Sequence, residues 1–423
     1  MLDIKFIREH PDVVKKSLIQ RLMELDVDKL LALDRERRNL LREAEALKHQ
    51  RNEVSRQIGR LKKEGREDPS KLREMKAVAK KIHLLDEMTR KIEGELDELI
   101  VRVPNIPHGS VPVGPDQRSQ ELVREEGKKR KFDFTPRSHW EIAETLGLVD
   151  FKRAAAVAGS NFALFRDKGA LLERALINFM LDVHTRENGY VEISPPYLSN
   201  RPSMLGTGQL PLLEEDMYRL ELDDYFLVPT GEVTITNIHR EEILSADDLP
   251  LKYVGFTPCF RREAGSYGRE TRGLIRIHQF DKVELVKFVE PQSSYRELEA
   301  LLADAEGIIS RLELPYRIMA LPTGELSFAS AKCYDIELWA PAQDEWLEVS
   351  SCSNFEDFQA RRARIRYRDE EENIDYLHTL NASGVALPRT VVAILENYQQ
   401  EDGSVVVPEV LRPYMGGMEK LSL

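Results

Sequence analysis

Phe260-Arg261-Arg262-Glu263-Ala264-Gly265-Ser266-Tyr267-Gly268-Arg269-Glu270-Thr271-Arg272-Gly273-Leu274-Ile275-Arg276 places three glycines and five arginines between two strand-like runs, Lys252 to Arg262 and Ile275 to Val289. Guanidinium groups crowded in this way repel one another unless anions or carboxylates relieve them. Planar, permanently charged forks suit phosphate and carboxylate oxygens, and glycines let the backbone approach a ligand. A mesh of Arg and Glu salt bridges is the competing reading of the same composition. The chain has no GxxxxGK[ST] and no GxGxxG between a strand and a helix, so nucleotide binding, if present, uses another device.

Working outward, further strands are expected at Tyr190 to Ser194, Cys333 to Ala340 and Trp346 to Ser351, and helices at Leu171 to Val183, Gln292 to Leu312 and Arg389 to Gln400. Strands this close in sequence favour hairpins, hence a mostly antiparallel β-sheet flanked by helices, an α+β fold. Phe280 and Glu284 are four apart and face one side of a regular strand, where an aromatic ring and a carboxylate could stack a base and hold an ammonium group. The bland alternatives are a core Phe280 and a Glu284 paired with Lys282 or Lys287. Glu348, with the hydroxyls of Ser350, Ser351 and Ser353 close behind it, supplies hard oxygen ligands of the kind magnesium takes. Strand parity puts Glu348 and Ser351 on opposite faces, so a bulge or strand end is required. Pro388 suits a helix first turn, and Arg389 then stands near a helix N-terminus, where anions are favoured.

Upstream the texture differs. Leu30, Leu33, Leu40, Ala44, Leu47, Val54, Ile58 and Leu61 recur at heptad spacing, and Met75, Val78, Ile82, Leu85, Thr89, Ile92, Leu96 and Leu99 repeat it beyond the breaker at Glu64 to Ser70. Two helices of this length joined by a short turn form an antiparallel coiled coil, about residues 30–100, on the order of 50 Å long. From Arg35 to Lys63 the first helix carries ten Lys and Arg against four Glu. That excess opposes the charge of the whole chain and points to phosphate binding; a merely solvated helix face is the alternative. Pro104 to Pro115 reads as a Pro/Gly linker, giving a helical domain 1–103, a linker 104–116 and a mixed domain 117–423.

The 423 residues, 42% hydrophobic and 32% charged, suffice for two or three domains with a large core. A net charge of −12 argues against indiscriminate nucleic-acid binding. No run of about 18 apolar residues and no apolar N-terminal stretch is present, so a cytoplasmic protein without membrane attachment is expected. Three scattered cysteines, Cys259, Cys333 and Cys352, make neither a disulfide framework nor a zinc site, and Cys352 reads as a buried small residue.

Taken together, the arm, Gly206-Thr207-Gly208-Gln209-Leu210-Pro211, Pro229-Thr230-Gly231-Glu232, the arginine hairpin, His278 to Glu284, Glu348 to Asn354, Asn381-Ala382-Ser383-Gly384 and Val407 to Met415 resemble, in order and over the whole length, the bacterial-type seryl-tRNA synthetases of class II. The resemblance implies a tRNA-binding coiled-coil arm joined to a class II catalytic domain. Motif 1 would end at Pro195, motif 2 would be the arginine hairpin, and motif 3 would run from Ser383 to Glu396. It implies that Thr230, Gly231, Glu232, Arg261, Glu284, Asn381 and Ser383 surround L-serine. ATP would meet Arg261, Arg262, Glu263, Arg276, Phe280, Arg389 and the run Glu348, Val349, Ser350 and Ser351, with Glu348 and Ser351 holding Mg2+. Arg261 and Arg389 would be the catalytic pair. Arg35, Arg38, Arg42, Arg51 and Arg56 would face tRNA-Ser, and tRNA-Sec where it exists, in a homodimer. The family most often has Ala at Gly231 and Gly at both Ala382 and Pro388. Two other classes compete: a related ligase loading a carrier protein or other acceptor, and a structural coiled-coil adaptor. The first should lack a long basic arm, and the second leaves the arginine hairpin unexplained.

Overall fold

A computed structural model describes residues 1–66, 68–263 and 273–423. The chain divides into two compact units, Met1–Pro104 and Asn105–Leu423. In the first, helices α1 (Ile4–Glu9) and α2 (Pro11–Gln20) precede the long helices α3 (Val27–Lys63) and α4 (Pro69–Ile100). Asp26 caps α3 and Asp68 caps α4, each through its carboxylate, and Pro69 opens the second helix. The heptad positions Leu40, Ala44 and Leu85 form a buried seam with Leu47 and Ile92 against it. Ion pairs flank that seam: Arg37 to Glu93 at 2.9 Å, Lys48 to Asp86 at 3.1 Å and Lys81 to Glu43 at 2.8 Å. Part of the basic surplus of α3 is therefore spent within the hairpin.

The second unit is built on an eight-stranded sheet. Its strands in chain order are β1 (Glu121–Glu126), β2 (Val191–Ile193), β3 (Leu251–Phe260), β4 (Gln279–Val289), β5 (Tyr316–Ala320), β6 (Lys332–Ala340), β7 (Glu345–Asn354) and β8 (His378–Ala386). In space they run β1-β5-β6-β7-β8-β4-β3-β2. Neighbours are antiparallel except β2 and β3, which pair parallel. Helices α5 (His139–Thr145), α6 (Lys168–Arg186), α7 (Gly231–Thr236), α8 (Ser294–Arg311), α9 (Phe358–Ala363) and α10 (Leu387–Tyr398) surround it. Apolar residues spaced three and four apart on α6, Leu172, Ala175, Leu176, Phe179, Met180 and Val183, join β4, β6 and β7 residues in the main core.

Three expectations change. The strand expected from Ile275 starts at Gln279, because the chain just before it turns off the ladder: Leu274 N–H donates to the buried His139 Nε2 at 3.2 Å. The stretch Thr379 to Ala386, read as a lead-in to a helix, is most of the central strand β8. The expected linker belongs to the second unit: Asn105 Nδ2 donates to the carbonyls of Ala329 (2.9 Å) and Phe355 (2.8 Å), and His108 N–H to that of Ala331 (2.8 Å). Among the described residues no helix is long and apolar enough to cross a membrane.

Candidate active site

The sheet centre supplies the site. β4, β7 and β8 carry Lys282, Glu348, Ser351, Ser353, Asn381 and Ser383, which line a cavity of about 520 Å³ together with Thr230, Glu232, Arg261, Glu263 and Arg276 from the connecting segments and α7. A smaller adjoining recess shares Arg261, Glu263, Arg276, Lys282, Glu348 and Ser383 and adds Phe280, Val349, Pro388 and Arg389.

The inner end is a buried hydrogen-bond network. Thr230, the N-cap of α7, donates its hydroxyl proton to Glu284 Oε2 at 3.0 Å and accepts from Glu232 N–H (3.3 Å) and from Lys282 Nζ (2.7 Å). That exhausts the hydroxyl. Glu284 Oε2 also forms an ion pair with Lys282, and Glu284 Oε1 accepts from Asn381 Nδ2 at 2.8 Å. Glu232 is held separately: Gln359 Nε2 donates to it at 2.6 Å, and Thr379 Oγ1 fixes Gln359 from behind at 2.7 Å. Burial, and then the nearby Glu284 charge, push the Glu232 carboxyl up to about 7. At Gly231 an added methyl would lie 3.1 Å from Glu284 Cβ and 3.2 Å from Thr257 Oγ1, so the absent side chain relieves a tight approach to this network.

The outer end is built of forks and oxygens. Arg261 is anchored by Nε donating to Pro229 O at 3.2 Å, and its guanidinium lies 5.2 Å from the centroid of the Phe280 ring. Arg276 pairs with Glu263 at 3.2 Å. Glu348 and Ser351 do share a side: the β6–β7 register slips between Ile336 and Glu337, which face Ser350 and Glu348 and leave Val349 extra. Ser351 Oγ then donates to Glu348 Oε1 at 3.1 Å. Arg389, in the first turn of α10, donates through Nη1 to Glu348 O at 2.6 Å and lies 3.7 Å from Glu348 Oε2. A buried His139–Glu396 pair at 2.9 Å ties α5 to α10.

The comparisons fit this geometry. Residues 1–107 match the Seryl-tRNA synthetase N-terminal domain, and residues 217–398 match the tRNA synthetase class II core domain (G, H, P, S and T). The "Serine--tRNA ligase" of Geobacillus kaustophilus (strain HTA426) is 56% identical over 421 residues, 99% of each chain. The chain belongs to the seryl-tRNA synthetase family. The ligase of the same name from Carboxydothermus hydrogenoformans is 55% identical over 98% of each chain. The crystal structure of seryl-tRNA synthetase from Pyrococcus horikoshii complexed with ATP superposes with a TM-score of 0.93 at 39% identity, covering 100% of this chain and 99% of its own.

For this family member the residues expected from the sequence mostly converge, with four exceptions. Glu284 is fully buried behind Thr230 and Asn381 and does not line the cavity. Gly231 is likewise in the wall, not the lining. Ser350 gives its hydroxyl to Ser383 O at 2.5 Å, and Arg262 is exposed with its backbone N–H on Asp216 O at 2.9 Å. Cys352 is buried, its thiol pushed up to about 12 by desolvation, so it is no nucleophile. Gly265, Gly268, Arg269 and Arg272 of the arginine hairpin lie outside the described residues. Sequence reasoning missed Gln359 and named Lys282 only as a possible partner of Glu284, a pairing the structure bears out. Lys282 shares the strand parity of Phe280 and Glu284 and carries that signal; Gln359 on α9 has none.

Proposed function

We infer that the chain is a serine–tRNA ligase that activates L-serine with ATP and transfers the seryl group to the 3′ end of tRNA-Ser, and of tRNA-Sec where that tRNA exists, as a homodimer. The observation that carries this reading is a cavity with a buried carboxylate, Glu232, at one end and Arg276 and Glu348 at the other, where an adjoining recess adds Arg389 and the Phe280 ring.

In this arrangement the serine ammonium group meets Glu232, and Arg261 draws the serine carboxylate towards the α-phosphate. A carboxylate oxygen attacks the α-phosphorus in line; the new P–O bond forms as the bond to the β-phosphate oxygen breaks, and pyrophosphate leaves with its electron pair. Arg261 and Arg389 stabilise the charge on the phosphate oxygens, so catalysis is positioning and electrostatics without a nucleophilic side chain. Phe280 offers its face to adenine, and Glu263 its backbone and carboxylate to the base edge. The ribose hydroxyl of the tRNA then attacks the activated carbonyl and AMP departs.

Glu348 and Ser351 present convergent hard oxygens, and magnesium needs only one or two such protein ligands beside phosphates and water, so this pair fits it. When bound there, Mg2+ offsets charge on the triphosphate. The basic helix α3 supplies the cationic surface for tRNA phosphates. Loading of a carrier protein is the weaker reading, since the basic arm has no task in it.

The test is exchange of labelled pyrophosphate into ATP with each amino acid in turn, followed by charging of purified tRNA-Ser and tRNA-Sec. Serine alone should support rapid exchange, and a pocket built to hydrogen-bond a hydroxyl should reject alanine by about 10⁴-fold or more. Equal rates with alanine and serine would refute the pocket, and charging of a carrier protein in place of tRNA would refute the acceptor.

A further inference from the structure

Gln359, fully buried on α9, has a side chain with three partners and no freedom to turn. Its Nε2 donates to Glu232 Oε1 at 2.6 Å and to Thr207 O at 3.2 Å, and its Oε1 accepts from the fully buried Thr379 Oγ1 at 2.7 Å. An ionised carboxylate and a carbonyl only accept, so both N–H groups of the amide face them and its oxygen faces the hydroxyl. The bond to Glu232 has the short length of a charge-assisted contact. Charged groups reach Glu232 from elsewhere too: Glu284 and Lys282 on β4, and Arg261 just after β3. Burial, then the Glu284 charge, favour the protonated carboxyl; against them the Gln359 hydrogen bond acts ahead of Lys282 and Arg261.

We propose that Gln359 is a positioning residue for serine binding: oriented by Thr379, its amide holds the Glu232 carboxylate in the ionised form that a substrate ammonium requires. The proposal rests on the serine-activating function and assigns a task to two buried residues that function does not otherwise use. The bond to Thr207 O admits a plainer reading, an anchor for the segment 205–211, whose Gln209 lines the cavity. Arg362, three positions further along α9, holds that segment independently, through Nη1 to Leu205 O at 3.0 Å and to Leu210 O at 3.4 Å. The segment therefore keeps an anchor when Gln359 is replaced, and the change falls on the surroundings of Glu232.

The experiment is the pH profile of the serine KM, read by pyrophosphate exchange from about pH 6 to about pH 9, with the ATP KM measured alongside. Gln359→Met, close in length and without a donor, is expected to move the midpoint of the serine profile upward by about one unit or more, the effect of losing a hydrogen bond to a charged group. The serine KM then rises about tenfold below the parent's midpoint and converges on the parent's value well above it, while the ATP KM stays unchanged. Thr379→Val keeps the volume and removes only the hydroxyl behind the amide. It should shift the midpoint in the same direction, and in the Gln359→Met background it should add no shift, because it acts through the amide. This milder variant carries the test where Gln359→Met does not fold. A midpoint at the parent's value, or a serine KM raised by the same factor at every pH, would overturn the assignment, since a residue that merely shapes the pocket or the segment 205–211 leaves the midpoint in place. A full Thr379→Val shift in the Gln359→Met background would overturn the part given to Thr379. Failure of the parent protein to exchange with serine would instead refute the function itself, and Gln359's role with it.

Discussion

Ser351 Oγ donates to Glu348 Oε1 across 3.1 Å, from three positions further along the same strand. The extra residue Val349 makes this possible by turning the two side chains to one side of β7. A cation held there depends on that bulge as much as on the carboxylate. Glu348→Gln should lower serine-dependent pyrophosphate exchange on the order of 100-fold or more, with part of the loss recovered at high magnesium. Chelation of divalent ions should abolish the parent's exchange, and a magnesium titration of both proteins checks the pair. A Glu348→Gln protein with the parent's magnesium requirement and rate would place the cation elsewhere.

Glu232 makes serine binding pH-dependent. Burial, then the charge of Glu284, raise its carboxyl to about 7, while Gln359, Lys282 and Arg261 pull in the opposite direction. A substrate ammonium needs the ionised form, so the serine KM should fall as pH rises through about 7 and level off above it, with no matching change for ATP. For folding the sign is reversed. The folded value lies above the unfolded value of 4.5, so the group's contribution to stability is fully present below 4.5 and is lost as pH rises through about 7. Glu232→Gln never ionises, and should therefore gain on the order of 3 kcal/mol over the parent at pH 8 and above relative to pH 4, while losing serine affinity. Thermal melts at the two pH values decide it.

How much of this is legible in the sequence differs by element, for physical reasons. The arm is readable because a two-helix coiled coil has one seam, and Leu40, Ala44 and Leu85 keep heptad spacing with nothing else to satisfy. The need for a bulge at Glu348 to Ser351 is readable from parity alone. β8 is not, because Asn381, Ser383 and Gly384 give up β-propensity to serve the cavity and the β4 register. The burial of Glu284 behind the lining is equally hidden: parity fixes which side of β4 it faces, and only the packing of α7 over that side decides what covers it. Gln359 reaches Glu232 from 127 residues away, a contact that tertiary structure alone creates.

The His139–Glu396 pair links α5 to α10. Both side chains are fully buried, and Glu396 accepts from His139 N and Nδ1, from Ala342 N–H at 2.9 Å and from Gln343 Nε2 at 3.0 Å. His139 Nε2 in turn accepts Leu274 N–H, and a side chain at Gly273 would collide with the same ring. Glu396→Ala strands several buried donors and should destabilise the fold by roughly 3 kcal/mol or more. His139→Phe keeps the ring volume but frees Leu274, two residues before Arg276. It should raise the KM for ATP more than that for serine. Equal KM values in parent and variant would limit His139 to stability alone.

The arm's arginines are not equivalent, which makes their role testable one charge at a time. Arg38 is paired with the buried Asp34 at 3.0 Å and Arg56 with Glu53 at 2.5 Å, and Arg42 donates to Asn39 and to Arg38 O. Arg35 and Arg51 make no ion pair among the described residues; Arg35 is exposed and Arg51 half-buried, so neither charge is committed to a carboxylate. An unpaired cation releases a counterion from the nucleic acid without first breaking a protein contact. Arg35→Glu/Arg51→Glu should therefore weaken tRNA-Ser charging, reduce the slope of log affinity against log salt by about 2, and leave serine-dependent pyrophosphate exchange untouched. Arg37→Glu is the contrasting variant: it breaks the 2.9 Å bridge to Glu93 across the seam, so its first effect should be on melting of the arm. An unchanged salt slope in the double variant, with full charging, would move the tRNA contact away from these two positions of α3.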